Sequence, residues 1–300
     1  MEENITPSRI ANAILQDKDF SGFYLLVEGK KDIKLYRRFV KNGSAKVKVT
    51  FGKYKQREAY KILNERGFDK AIGIRDADFL RIRGNEKYDP GYSGLIFPTD
   101  CHDSELMMLQ TGVLDDYLLL ISEDDKVLAL EKRIGVKLQD LLLGLIYNLG
   151  CLRLANKRFS LGLSFKPEKA DGNKLKINRF ISEKDWSYLG DDIMINTVVE
   201  YSKNRGNAVA PRDLIKEKLQ AVVNDKHPAL EVVNGHDISQ LLFLISKGGL
   251  DSKNKMLQNS DCVEDLLIAC FDLIKFSKTK LFANLLKWQE TTKSDVFCIN

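Results

Sequence analysis

Gly22-Phe23-Tyr24-Leu25-Leu26-Val27-Glu28-Gly29 decides the reading of this chain. It is a short, continuous apolar run ending in a carboxylate and a glycine, the pattern of a strand buried on both faces of a parallel sheet. Helical spacing follows over 31–40 at Ile33, Tyr36, Arg37 and Val40, and Asn42-Gly43-Ser44 closes that helix as a turn. Residues 46–51 alternate as a half-exposed strand, and 55–66 return to helical spacing with Gly67 as C-cap. Ala71-Ile72-Gly73-Ile74-Arg75 is the next strand. A polar loop over 81–93 then leads to a fourth at Leu95-Ile96-Phe97. Strands alternating with helices are βαβ units, whose crossovers are right-handed and whose ligands gather beyond the carboxyl ends of the strands.

Beyond Asp103 helical patterns take over, at 104–120, 126–134, 137–149, 193–201, 212–223, 238–246 and 263–288. A less regular, Lys-rich stretch over 158–186 reads as a linker or hairpin inside them. The predicted class is α/β, with a mainly parallel sheet flanked by helices over 1–110 and a mostly α-helical region over 111–300. No internal repeat is visible, which argues against a solenoid.

With 300 residues, 44% of them hydrophobic, the chain can bury a substantial core and is no disordered polyelectrolyte. Cys101, Cys151, Cys262, Cys270 and Cys298 lie far apart with no Cys-x-x-Cys pair, so neither a structural zinc site nor a disulfide framework is suggested. Met1-Glu2-Glu3-Asn4 is acidic and precedes no long apolar run, and no stretch approaches the uninterrupted length of a membrane span, so a cytoplasmic protein is expected. Charge is uneven: between Glu28 and Arg83, 17 Lys and Arg stand against 7 Asp and Glu, while the whole chain carries only +5. That concentration attracts phosphate backbones, although Lys-rich helix faces also serve solubility alone.

The strand ends carry acids. Glu28 follows the first strand, Asp76 and Asp78 the third, and Asp100 with Glu105 the fourth. Such oxygen ligands suit a hard divalent cation, which keeps waters and shares substrate phosphates. If strand geometry persists through Asp78, period 2 directs Asp76 and Asp78 to one face. The plain alternative is that each acid caps the helix that follows it.

Leu25-Leu26-Val27-Glu28-Gly29-Lys30-Lys31-Asp32, followed by Gly73-Ile74-Arg75-Asp76-Ala77-Asp78-Phe79, resembles a Toprim domain. This is the metal-binding module of topoisomerases, primases and nucleases of the overcoming-lysogenization-defect class. Phe97-Pro98-Thr99-Asp100-Cys101-His102-Asp103-Ser104-Glu105-Leu106 is similar to a signature of the DUF4435 branch, which includes nuclease effectors of PARIS-type phage defence that work with an ABC-type ATPase. The resemblance spans residues 1–110 and a helical tail of similar size. It implies that Glu28, Asp76 and Asp78 are catalytic and bind Mg²⁺ or Mn²⁺, and that Glu105 is a further metal ligand, with Asp100 and Asp103 as rivals for that place. It also implies hydrolysis of phosphodiester bonds in host nucleic acid (tRNA, other RNA or DNA), a partner ATPase that releases or activates the nuclease, and a homodimer.

Lys30, Lys31, Lys53 and Lys55 are the bases expected nearest the phosphate path. None of the ten tyrosines has a context that marks a nucleophile, so hydrolysis is preferred to a covalent tyrosyl intermediate. His236-Asp237 looks like a catalytic pair but stands at an expected helix start, where such residues serve the backbone. Leu266, Leu267, Cys270, Phe271, Ile274, Leu281, Leu285 and Trp288 form an apolar stripe that suits a core, a dimer contact or a face for the ATPase. Two other functions fit the same acids, a non-catalytic nucleic-acid-binding or regulatory subunit and a primase-like enzyme. Retention of all three acids argues against the first. The absence of a Gly-x-x-x-x-Gly-Lys loop argues against the second.

Overall fold

The structure, a computed structural model, describes residues 5–83, 95–167, 172–206 and 208–298. The acidic start Met1–Asn4 and most of the expected 81–93 loop lie outside them, as does part of the Lys-rich stretch. By contacts the chain divides into two compact units, the described parts of Met1–Val113 with Leu267–Asn300, and Leu114–Leu266. Where the sequence suggested a division at 110/111, the first unit runs to Val113 and takes in the C-terminal segment from Leu267.

In the first unit, α1 (Pro7–Leu15) precedes β1 (Phe23–Val27), α2 (Lys30–Tyr36), β2 (Ala45–Val49), α3 (Lys53–Glu65), β3 (Ala71–Arg75), the short α4 (Leu80–Arg83), β4 (Ile96–Pro98) and α5 (Ser104–Gln110). The four strands form one parallel sheet in the order β2-β1-β3-β4. Apolar residues on both faces of β1 explain its central place. Tyr24 and Leu26 pack with Ile10, Ala11 and Ile14 of α1 and with Ala59 and Leu63 of α3. Helix α1 went unread in the sequence, although Thr6 caps it by accepting from Arg9 N and Pro7 opens it, both ordinary start signals.

The C-terminal segment joins this unit through aromatics. Phe39, after α2, stacks on Phe276 at 4.5 Å and meets Phe271 edge-on at 5.7 Å, while Trp288 meets Phe23 at 5.4 Å. Arg38 donates to the carbonyls of Ile268 and Phe271, each at 2.7 Å, and Val40 bridges to Phe297. The single helix expected over 263–288 is three: Ser260–Cys270, Leu273–Ser277 and Lys280–Thr292. Asp272 and Thr279 restart it, their side chains accepting from Lys275 N at 2.8 Å and Phe282 N at 3.0 Å. The apolar stripe is largely core, with Ile274 the exception at 70% exposure. The helix expected over 104–120 likewise breaks, at Gly112, whose φ of 88° lies in the left-handed region.

The second unit is helical, as expected, with one small hairpin of Ile181–Ser182 against Ser187–Tyr188 inside the stretch read as linker or hairpin. Its longest helix, Leu138–Phe159, runs ten residues beyond the expected 137–149. By length and composition it could cross a membrane, yet 61% of its apolar window is buried inside the protein, which marks a core helix.

Candidate functional site

The chain leaves β1 toward β2 on one side of the sheet, and β3 leads to β4 on the other. Strand order therefore reverses between β1 and β3, and the crevice beyond their carboxyl ends is the place where open parallel sheets bind ligands. The last paired residues are Leu26 and Gly73. Just past them the buried amide of Gln56 donates to Leu26 O at 2.9 Å and Ile74 O at 2.7 Å, tying the two strand ends together from α3. Glu28 and Asp76 follow those ends into the crevice.

Hydrogen bonds then fix the acids. Asp76 N donates to Glu28 Oε1 at 3.2 Å. Ser104, which opens α5, donates to Asp76 Oδ1 from its N at 3.1 Å and from its hydroxyl at 3.3 Å. Behind it, the buried Tyr36 hydroxyl meets Ser104 Oγ at 3.2 Å. Asp32 turns back along α2 and accepts from Gly29 N at 2.7 Å. Thr99 accepts from Ala77 N at 3.0 Å, and Asp78 N donates to His102 O at 2.6 Å, so the loop after β3 is fastened to the loop after β4.

Electrostatics show how near these groups lie. Burial pushes the Glu28 carboxyl from 4.5 up to about 7, Asp78 adds repulsion, and Arg75 and Lys53 oppose it. Burial also lifts Asp76 well above its ordinary 3.8, with further pushes from Glu28, Asp32, Asp103 and Glu105. Asp32 rises to about 6, again chiefly through burial, with Glu105 adding to it. Like charges gathered in a recessed place each favour the protonated form of their neighbours.

Glu28 thus lies within electrostatic reach of Asp78, and Asp76 within reach of Glu28 and Glu105, with one correction to the expected geometry. β3 ends at Arg75, and Asp78 adopts a φ of 49°, so Asp76 and Asp78 do not alternate along a strand. The left-handed turn instead carries Asp78 to Lys53, with which it forms an ion pair, and to Arg75 at 3.8 Å. Aspartate tolerates the left-handed region better than most side chains, and the contacts to Lys53 and Arg75 accompany it there. Of the rivals to Glu105, Asp100 is spent on structure: its two oxygens accept from Lys280 N at 2.6 Å and Leu281 N at 2.7 Å. Asp103 caps α5 by accepting from Leu106 N at 3.0 Å. Glu105 stands in the first turn of that helix and bears electrostatically on Asp32 and Asp76.

The lysines divide by helix. Lys30 and Lys31 open α2, while Lys53 and Lys55 open α3, both of which start at the carboxyl edge of the sheet. Asp32, Ser104 and Tyr36 were missed as site residues. The signal for Asp32 was its place one helical turn beyond Glu28, behind a glycine that starts the helix. In the second unit His236 and Asp237 do not act as a pair: Asp237 is held by both forks of Arg153 at 2.8 to 3.0 Å, and His236 Nδ1 meets Glu264 at 2.9 Å.

Compared with known proteins, the chain matches no protein-family model and no curated protein.

Proposed function

We propose that this protein is a Toprim-type nuclease that hydrolyses phosphodiester bonds with Mg²⁺ or Mn²⁺ held by Glu28, Asp76, Asp78 and Glu105. The observation that carries the reading is the gathering of these acids beyond the reversal of strand order, with Glu28 raised by burial and by Asp78, and Asp76 raised by burial and by Glu28, Asp32, Asp103 and Glu105. The donors are carboxylate oxygens, the set a hard divalent cation takes, and recessed acids that disfavour one another's charge gain most from such an ion. A bound cation would neutralise the scissile phosphate and lower the pKa of a water.

The protein's own groups do the rest. Ser104, backed by Tyr36, fixes the orientation of Asp76. Glu28, which accepts from Asp76 N, would offer its carboxylate to the ion from the end of β1. The N-terminus of α3 and its first-turn lysines favour the polyanionic strand. A role in phage defence beside an ABC-type ATPase, as a cytoplasmic homodimer, is proposed from the motif resemblance.

The test is cleavage of RNA and DNA oligonucleotides by purified protein in Mg²⁺, Mn²⁺ or EDTA, with Asp76→Asn alongside. Products should form only with metal and only with the unaltered chain. Undiminished cleavage in EDTA would sink the proposal.

A further inference from the structure

An exposed aromatic ring stands in the first turn of α3, next in sequence to the lysine that pairs with Asp78. Tyr54 is 63% exposed, and among the described residues the only other exposed aromatic is Phe159, at 43% and in the helical unit. Scattered exposed rings are ordinary, so position has to decide. Tyr54 lies in the first turn of α3, and the start of that helix is pinned to the site twice. Gly52, its N-cap, donates to Glu28 O at 3.0 Å, and Lys53, the residue before Tyr54, pairs with the Asp78 carboxylate. The turn into the helix is forced, with Phe51 at φ 60° and Gly52 at φ 115°. An aromatic at the former is unusual and fixes the direction in which α3 sets out.

Chemistry narrows what the ring meets. Lys53 and Lys55 flank it in sequence, and the guanidinium of Arg57 lies over it, 5.8 Å from its centroid. A ring backed by a cation and set among lysines is the arrangement on which unpaired bases stack, because every base offers a π-face while the lysines follow the backbone. Bases inside a continuous duplex are stacked on one another and offer no such face.

We propose that Tyr54 is a stacking platform for an unpaired base next to the scissile phosphate, so that this enzyme acts on single-stranded or looped nucleic acid in preference to continuous duplex. This rests on the nuclease reading above. Tyr54 is a specificity-determining residue that touches substrate and takes no part in the chemistry.

The test measures binding in Mg²⁺ on the Asp76→Asn background, whose amide oxygen still accepts from Ser104. Probes are a short oligonucleotide of RNA, the same sequence as DNA, and each as a blunt duplex. Single strands should bind more tightly than duplexes. Tyr54→Ala should weaken single-strand binding by roughly tenfold and leave duplex binding unchanged, since one base–aromatic stack is worth on the order of 1–3 kcal/mol. Tyr54→Trp should restore the affinity, and the emission it adds to that of Trp186 and Trp288 should be quenched by the single strand and not by the duplex. Equal losses for both forms, no loss, or an unquenched tryptophan would each overturn the proposal while metal-dependent cleavage by the unaltered chain persists. If the unaltered chain neither binds nor cleaves any probe, the nuclease reading itself has failed and this inference falls with it.

Discussion

Glu28→Gln separates a functional acid from a structural one, because the two make opposite contributions to stability. The Glu28 carboxyl is raised from 4.5 to about 7 in the folded protein. Below pH 4.5 the folded and unfolded chains both hold the proton, and the group is neutral in its effect. Between 4.5 and about 7 the unfolded chain releases the proton while the folded one keeps it, so stability falls as pH rises. Above 7 the full cost is present, on the order of 3 kcal/mol at ~1.4 kcal/mol per pKa unit. Glutamine keeps an oxygen for Asp76 N and removes the titration. In EDTA, Glu28→Gln should therefore match the unaltered chain near pH 4.5 and exceed it by up to ~3 kcal/mol at pH 8. Magnesium should narrow that gap, since an ion at a hundredfold its Kd stabilises the unaltered chain by about 2.7 kcal/mol and the variant by less. Urea melts followed by Trp288 fluorescence report on the sheet unit, where this ring meets Phe23, once Trp186→Phe has silenced the other tryptophan. A Glu28→Gln chain less stable than the unaltered one at pH 8 in EDTA would refute the reasoning.

Other outcomes follow from the same geometry. Glu105→Gln should cut cleavage steeply with little change in Tm, whereas a purely structural first-turn acid would cost a few tenths to about 1 kcal/mol and spare the chemistry; activity assays beside thermal melts decide. Tyr36→Phe should leave the fold intact but loosen Asp76 through Ser104, read as weaker Mn²⁺ binding with an unchanged far-ultraviolet spectrum. Phe276→Ala should destabilise the sheet unit by ~3–5 kcal/mol in urea melts, because the ring is fully buried against Phe39 and Phe271. Arg153→Ala should lower the stability of the helical unit by ~3–5 kcal/mol, since it leaves the buried Asp237 carboxylate unpaired, without affecting cleavage.

Local signals carried most of the sheet unit. β1, β3 and β4 announce themselves by apolar runs and β2 by alternation, and their order along the chain already implied a parallel sheet with acids at its carboxyl edge. Breaks set by single side chains were harder to read. Asp272 and Thr279 look like surface residues inside one long apolar stripe, and only their caps reveal three helices. The return of the C-terminal segment to the sheet unit rests on pairings such as Phe39 with Phe276, which no periodicity in either segment specifies. Within the site the same division holds. The Asp-x-Asp spacing identified the acids, but the left-handed turn at Asp78 depends on Lys53 and His102, which come from different parts of the chain. Nothing in the sequence removes Asp100 as a rival to Glu105, because the amides of Lys280 and Leu281 that occupy its oxygens lie far along the chain.

The central claim is that the acids at the strand-order reversal hold a divalent cation. Mn²⁺ titration followed by electron paramagnetic resonance tests it most directly, on the unaltered chain and on Asp76→Asn. The account predicts saturable binding that quenches the free-ion signal at stoichiometric protein, competition by Mg²⁺, and loss of that binding in Asp76→Asn at unchanged fold. A free-ion signal that the protein does not diminish, or one diminished equally by Asp76→Asn, would contradict it.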